Sequence, residues 1–215
     1  MAQSAALDLP QPIRLYDTAR APNPRRVRIF LDEKGLSLPV TDVTIMTGAH
    51  KASGYRDRAG THHVPALELA DGTMLTETVA ICRYLEALVP EPALMGRDAR
   101  EAAIIEMWQR RVEFQLLMPI AFVLRHGNPA MAVLESPQVA VWAEHNRPRV
   151  VDALHWLDRR LAGSEHVAGA EFSIADITAI VAVDFMRTIK QPIPEACAAL
   201  SAWAARVRAR PSMRP

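Results

Sequence analysis

The sequence predicts a small α/β domain followed by an all-helical one. Three observations predict it. Over about the first 90 residues, short strand-like runs and helices follow the order β-α-β, loop, β-β-α. The stretch PEPALMGRD, residues 90–98, then carries the prolines and glycine of a linker. Beyond it the apolar residues recur only at helical spacing.

The elements follow in order. IRLYD (13–17) reads as a strand. APNPRRVRIFLDEKG reads as a helix with Asn23 as N-cap, Pro24 at the first helical position and Gly35 as the stop. LPVTDVTI (38–45) is a second strand candidate, and residues 46–62, polar with three glycines, read as a loop. VPALEL alternates like a strand, Asp71-Gly72 signals a tight hairpin turn, and TMLT is the return strand. From Glu77, ETVAICRYLEALVP carries Val79, Ile81, Cys82, Leu85 and Leu88 at helical spacing. Helices are expected at roughly 99–125, 136–162, 173–189 and 196–209. The predicted domains are 12–90 and 98–215.

Composition narrows the function classes. The chain has 215 residues, half of them apolar, with a formal net charge of +1. That balance lacks the concentrated basic character of a nucleic-acid binder. The two cysteines, Cys82 and Cys197, have neither disulfide-framework nor zinc spacing, and no metal site is expected. No apolar run approaches a membrane span, and the opening MAQSAALDLPQP reads as a floppy leader rather than a signal peptide. The cytoplasm is the expected compartment.

Three local signals stand out. In FSIADITA, Ser173 sits at an N-cap with Asp176 three residues on, and Phe172 and Ile177 have the spacing of a hydrophobic staple. This fixes the start of a buried helix, and losing Ser173 or Asp176 should cost about 1 kcal/mol or more. The second is Val64-Pro65. Proline in a strand marks an edge, a start or a bulge. A cis bond would turn the Val64 backbone outward to pair with an extended peptide, although base rates alone favour trans. The third is Glu77-Thr78. A helix N-terminus suits a carboxylate, Thr78 adds a hydroxyl, and Glu77 can accept from an ammonium. Taken alone, simple capping by these residues is the weightier reading.

Together these residues resemble the cytosolic glutathione transferase family. HVPALELADGTMLTETVAICRYLE is similar to its glutathione-binding half, with a Val-Pro before the third strand and an acidic-hydroxyl pair opening the next helix. LYDTARAPNPRRVRIFLDEKG resembles its first strand and helix, and FSIADITA the cap motif of its helical domain. The resemblance runs from about 13 to 210. It implies a thioredoxin-like domain plus a helical domain, usually as a homodimer, with glutathione as co-substrate. By position, Val64 beside a cis Pro65 would pair with the cysteinyl backbone, and Glu77 and Thr78 would hold the γ-glutamyl end. His50 and Lys51 stand where the family often places groups for the glycine carboxylate. His63 adjoins Val64, though a solvated loop histidine is the plainer reading, and the RAGTHHVP approach is longer than usual for the family.

The chemistry needs a thiolate, and a free thiol is mostly protonated at neutral pH. The family places a Tyr, Ser or Cys near the end of the first strand to favour ionisation. Here the serine-type position is Ala21, which has no donor. Asn23 is the first substitute through its amide N–H, Thr18 the second and Tyr16 the third. Arg25 and Arg26 would add positive potential, or merely form a solvated helix face. No thiol adjoins the first helix, which excludes glutaredoxin-like chemistry, and Cys82 reads as core packing. Phe114, Met118 and Phe122 recur at helical spacing and suggest a pocket for a small hydrophobic electrophile. The expected activity is conjugation of glutathione to such electrophiles. The alternatives are glutathione-dependent reduction of disulfides or peroxides and non-catalytic glutathione binding.

Overall fold

The structure, a computed structural model, describes residues 9–214. All its strands precede residue 77: β1 (Pro12–Asp17), β2 (Val40–Asp42), β3 (Ala66–Leu69) and β4 (Met74–Thr76). They form one sheet in the order β2-β1-β3-β4. β1 pairs in parallel with β2, as a crossover through helix α1 (Pro22–Glu33) requires, and antiparallel with β3. The β3–β4 hairpin closes at Asp71-Gly72, where Gly72 takes φ 86° and Asp71 accepts the Thr73 N–H at 2.9 Å. This is a thioredoxin-like arrangement.

Two expectations are corrected here. The segment read as a loop contains a short helix, α2 (Ser53–Ala59), preceded by two 3₁₀ turns. Its sequence, SGYRDRA, has only Tyr55 and Ala59 to bury, too few for a visible period. Asn23 is not the cap of α1. The helix starts one residue earlier, at Pro22, with Ala21 as the cap residue and no side-chain cap bond. Pro22 suits the first position, and Pro24 still lies in the first turn, where its missing N–H costs no helical bond. Of the leader, residues 1–8 lie outside the described residues. Its last part is fastened: Gln11 accepts the Ala70 N–H, and Pro10 accepts the Tyr84 hydroxyl at 2.6 Å.

α3 (Thr78–Leu88) completes the first part, and only helices and turns follow. α4 (Ala99–Val112) runs through a π turn at Glu113–Leu117 into α5 (Met118–Gly127). α6 (Ala140–Leu161), α7 (Ile174–Phe185) and α8 (Ala198–Arg208) complete the set. Among the described residues no helix is long and apolar enough to cross a membrane.

α7 is the centre of the molecule. Every residue from Ile174 to Val183 is buried, because α1 packs on one side of it and α4 and α8 on others. One continuous core joins Leu15, Phe30 and Leu85 of the first part to Leu154, Ile177 and Trp203 of the second. The start of α7 is held by the capping box. Ser173 Oγ accepts the Ala175 N–H at 3.3 Å, and Asp176 Oδ2 accepts the Ser173 N–H at 3.1 Å. Asp176 does more than cap. Its Oδ1 accepts the Val167 N–H at 2.9 Å and the Trp203 indole N–H at 3.1 Å, so this fully buried carboxylate joins α7 to α8 and to the loop before it.

α1 is tied to the second half at both ends. Near its start, Arg26 is 1% exposed, not a solvated helix face, and its Nη1 and Nη2 donate to Glu113 Oε1 at 2.9 and 3.1 Å. Burial lowers the Arg26 pKa, and the Glu113 charge opposes that. At the other end, Glu33 accepts from Arg210 at 2.8 Å on both oxygens and from Ser212 at 2.5 Å. Lys34 Nζ meets Glu86 at 2.6 Å and donates to the carbonyls of Pro90 and Pro92, which anchors the segment between the halves.

Two stability tests follow from these contacts. Asp176→Ala strands several buried donors and should destabilise the fold by about 3 kcal/mol or more. Asp176→Asn, which keeps one acceptor oxygen, should cost less, and denaturant melts of both variants measure the difference. The second test concerns acid. Burial alone would raise the Glu33 pKa, but the hydrogen bonds from Arg210 and Ser212 and the Arg210 charge outweigh it, and the net value is lowered. A depressed folded pKa stabilises above the unfolded value of about 4.5 and is lost as pH falls through the folded value. Glu33→Gln should therefore melt lower than the parent at pH 7, with the gap closing on acidification below pH ~4.

Candidate functional site

One end of the sheet brings together the β1–α1 loop, the segment before β3 and the start of α3, because Tyr16 pairs with Ala66 and Ala66 with Thr76. The β1–α1 loop is braced from inside. Arg28 Nη1 meets the buried Asp17 carboxylate at 2.5 Å and its Nη2 donates to the Ala19 carbonyl at 2.9 Å. Thr18 closes the turn by accepting the Ala21 N–H at 3.1 Å.

The Val64–Pro65 peptide is cis. Among the described residues, neither the N–H nor the C=O of Val64 has a backbone partner, so both are free to pair with an extended ligand. The approach to Val64 is held by α2: the Tyr55 hydroxyl donates to the His63 carbonyl at 2.5 Å. Burial pushes the Tyr55 phenol up to about 12, so it stays protonated and donating. The sequence reading passed over Tyr55, because its signal is one aromatic in a polar stretch.

Glu77 lies at the junction of β4 and α3 with φ 66° and ψ 119°, a conformation rare for a residue with a Cβ. The structure holds it there because β4 ends one residue before and α3 begins one residue after. Such strain costs of order 1–3 kcal/mol and collects at ligand sites. Glu77 is exposed and Thr78 is buried at the first helical position. The first N–H groups of α3 point out of its start, beside the free Val64 backbone.

The other residues singled out from the sequence are distributed as follows. His50 is buried, with its ring 6.2 Å from that of His62, which is tilted at 56° against the His63 ring at 4.3 Å. Burial lowers the His50 pKa, helped by Lys51, His62 and His63, so the ring is neutral at neutral pH. His50 Nδ1 has no hydrogen-bond partner. Lys51 is exposed, and its Nζ donates to the Val133 carbonyl at 2.9 Å, bridging to the turn after α5. Burial also lowers the His63 pKa, with His62 and Arg125 adding to it and Glu77 opposing. Among the described residues there is no metal-type cluster of His, Cys, Asp and Glu side chains.

The three thiol-activating candidates differ in availability. Tyr16 points to the opposite face of the sheet from its neighbour Leu15, into a small cluster with Val43, Ala59 and Ala66. Its hydroxyl donates to Glu68 at 2.9 Å and accepts from Arg58 at 2.8 Å, which leaves it committed there. Thr18 is buried and its hydroxyl has no partner among the described residues. Asn23 is exposed in the first turn of α1 and, relieved of capping, has its amide free. Cys82 is fully buried, and burial pushes its thiol up to about 12, which removes it from nucleophilic chemistry.

Replacing Glu77 with glycine tests the strain. Glycine accepts this backbone without penalty. Glu77→Gly should leave stability unchanged or raise it by about 1 kcal/mol, read from denaturant melts.

The sequence matches the family model described as "Glutathione S-transferase, N-terminal domain" over residues 21–88 and that for "Glutathione S-transferase, C-terminal domain" over residues 140–206. It is 36% identical over 207 residues to glutathione S-transferase 2 of Saccharomyces cerevisiae, covering 95% of this chain and 89% of the yeast protein. Among solved structures, a glutathione S-transferase domain-containing protein of Marinobacter aquaeolei VT8 superimposes with a TM-score of 0.91 at 35% identity, over 94% of this chain and 100% of that one. Gtt2 of Saccharomyces cerevisiae superimposes with a TM-score of 0.89 at 36% identity, over 94% of this chain and 98% of the other.

Proposed function

The chain belongs to the glutathione S-transferase family, and on that premise we propose that it joins glutathione, through its sulfur, to small hydrophobic electrophiles. The observation that carries the reading is the unpaired Val64 backbone next to the open start of α3, with Glu77 and Thr78 at that start. In this reading the N–H and C=O of Val64 pair with the cysteinyl backbone of glutathione. The α3 N–H groups and the Thr78 hydroxyl receive the γ-glutamyl carboxylate, and Glu77 accepts from the ammonium. His50 and Lys51 serve the glycine carboxylate, with His63 at the edge of the mould.

The thiol proton leaves to solvent, and the thiolate is held by the Asn23 amide N–H and the positive end of α1. Thr18 is the second candidate donor. The sulfur lone pair forms the new carbon–sulfur bond as the leaving group departs with its electrons, or it adds to an activated double bond, whose π electrons shift to the neighbouring carbon and take a proton from solvent. We assign the glutathione mould to residues 12–90 and the electrophile's apolar wall to residues 98–215. Met118 and Phe122 of α5 supply that wall, Phe122 packing 5.7 Å from the Trp142 ring. Phe114 (58% exposed) and Met107 (39%) face outward, where a second copy of the chain would cover them in a homodimer.

Reduction of disulfides or peroxides would use the same mould through glutathione's own sulfur, since both protein thiols are buried. A panel of an aryl halide, a disulfide and a hydroperoxide separates the activities, and the reading expects aryl-halide conjugation to dominate. Calorimetry should show saturable glutathione binding, weakened about tenfold by Glu77→Gly. Asn23→Ala should leave that binding intact, while lowering kcat and raising the pH at which the bound thiol ionises. Absence of binding at millimolar glutathione would overturn the reading, and an unchanged Asn23→Ala profile would move the donor role to Thr18.

A further inference from the structure

The peptide unit between His63 and Val64 faces two parts of the molecule with different tasks. Its carbonyl accepts the Tyr55 hydroxyl of α2 at 2.5 Å. Its N–H, on Val64, has no backbone partner among the described residues and is one of the two groups offered to glutathione. This peptide is trans, so it is flat and its C=O and N–H point in opposite directions. Holding the carbonyl therefore sets the direction of the N–H. Tyr55 is itself well placed to hold it. Its ring lies 5.6 Å from that of Tyr16, and Tyr55 and Val64 both pack on the cluster of Tyr16, Val43, Ala59 and Ala66. One turn along α2, Arg58 Nη1 donates to the Tyr16 hydroxyl at 2.8 Å and Nη2 pairs with Glu68. The Tyr16 hydroxyl donates to Glu68, so it does not compete for the His63 carbonyl. On the other side of His63, its own N–H donates to Thr61 Oγ1 at 3.2 Å.

We propose that Tyr55 is a positioning residue for glutathione: through the His63 carbonyl it aims the Val64 N–H at the cysteinyl carbonyl of the bound tripeptide. The inference rests on the reading of Val64 as the residue that pairs with the cysteinyl backbone. The hydroxyl has a second effect on the same peptide. Donation to a carbonyl polarises the unit and strengthens its N–H as a donor. The role needs a protonated phenol, and burial keeps Tyr55 in that form at neutral pH. Tyr55 acts through the peptide it holds and has no part in the chemistry at sulfur. The backbone pairing it supports is the same before and during attack by the sulfur. Its loss therefore weakens ground state and transition state alike, which raises KM and leaves kcat unchanged.

The test uses the full chain and Tyr55→Phe, which keeps the ring and removes only the hydroxyl. Calorimetric titration with glutathione should show affinity reduced about fivefold. Initial rates with an aryl halide should show the glutathione KM raised by about the same factor, with kcat within about twofold of the parent. Arg58→Gln frees α2 from Tyr16 and Glu68 but leaves the bond to His63 in place, and should keep glutathione affinity within about twofold of the parent. The proposal is overturned by an unchanged affinity in Tyr55→Phe, by a fall in kcat without a rise in KM, or by an equal loss of affinity in Arg58→Gln. Glu77→Gly, titrated in parallel, separates this role from the mould it serves. If Glu77→Gly weakens glutathione and Tyr55→Phe does not, the mould stands and the positioning role falls. If the parent fails to bind at millimolar glutathione, both fall.

Discussion

A buried carboxylate sets the geometry of the molecule. Asp176 has no solvent to satisfy it, so it must take its hydrogen bonds from protein donors, and those donors come from its own cap, the preceding loop and the Trp203 indole. Meeting all of them at once fixes both the start of α7 and its rotation. Because α7 is apolar all round, its rotation decides how α1 and α4 pack against it. α1 in turn carries the loop with Thr18, Ala21 and Asn23. That loop is thus positioned by a cap far from it, at the other end of the central helix.

α1 is also the seam between the two halves of the chain. Its buried cation, Arg26, reaches Glu113, and its last turn is clamped by Arg210 through Glu33. Buried ion pairs add little net stability against apolar replacements, because desolvation offsets most of the attraction. They are strict about geometry, however, since a misplaced partner leaves a charge stranded. Together with the continuous apolar core, they leave α1 little freedom to rock between the halves, which suits the proposed role of its loop as a fixed donor edge.

Much of this was legible in the sequence, where the signal was local. The hairpin at Asp71-Gly72, the alternation in β3 and the Ser173–Asp176 box each occupy a few consecutive residues and were read directly. What escaped depended on distant neighbours. α2 buries only two side chains and carries no period. Arg26 looks like any solvated arginine until Glu113, far along the chain, is placed against it. Asn23-Pro24 resembles a cap and first position, yet Pro22 competes for the same role one residue earlier and wins. At the candidate site, Val64-Pro65 and Glu77-Thr78 could be picked out, but the free Val64 backbone and the strained Glu77 conformation are properties of the folded chain. The commitment of the Tyr16 hydroxyl to Glu68 and Arg58 likewise required the third strand and α2 to be in place.

The π turn at Glu113–Leu117 has a geometric consequence for the helix it interrupts. A single wide turn adds in effect one residue to an otherwise regular spiral, which rotates everything downstream by about 100°. Without it, Met118, Phe122 and Arg125 would continue the azimuth set by Met107, and they would look elsewhere. The offset lets one long rod serve two directions, with Arg110 and Phe114 presented outward up to the turn and Phe122 beyond it facing Trp142. Deleting one residue within that turn would restore regular winding and swing the whole upper half out of alignment, while Glu113, which bonds Gln109 and Arg110, closes the lower half at its end.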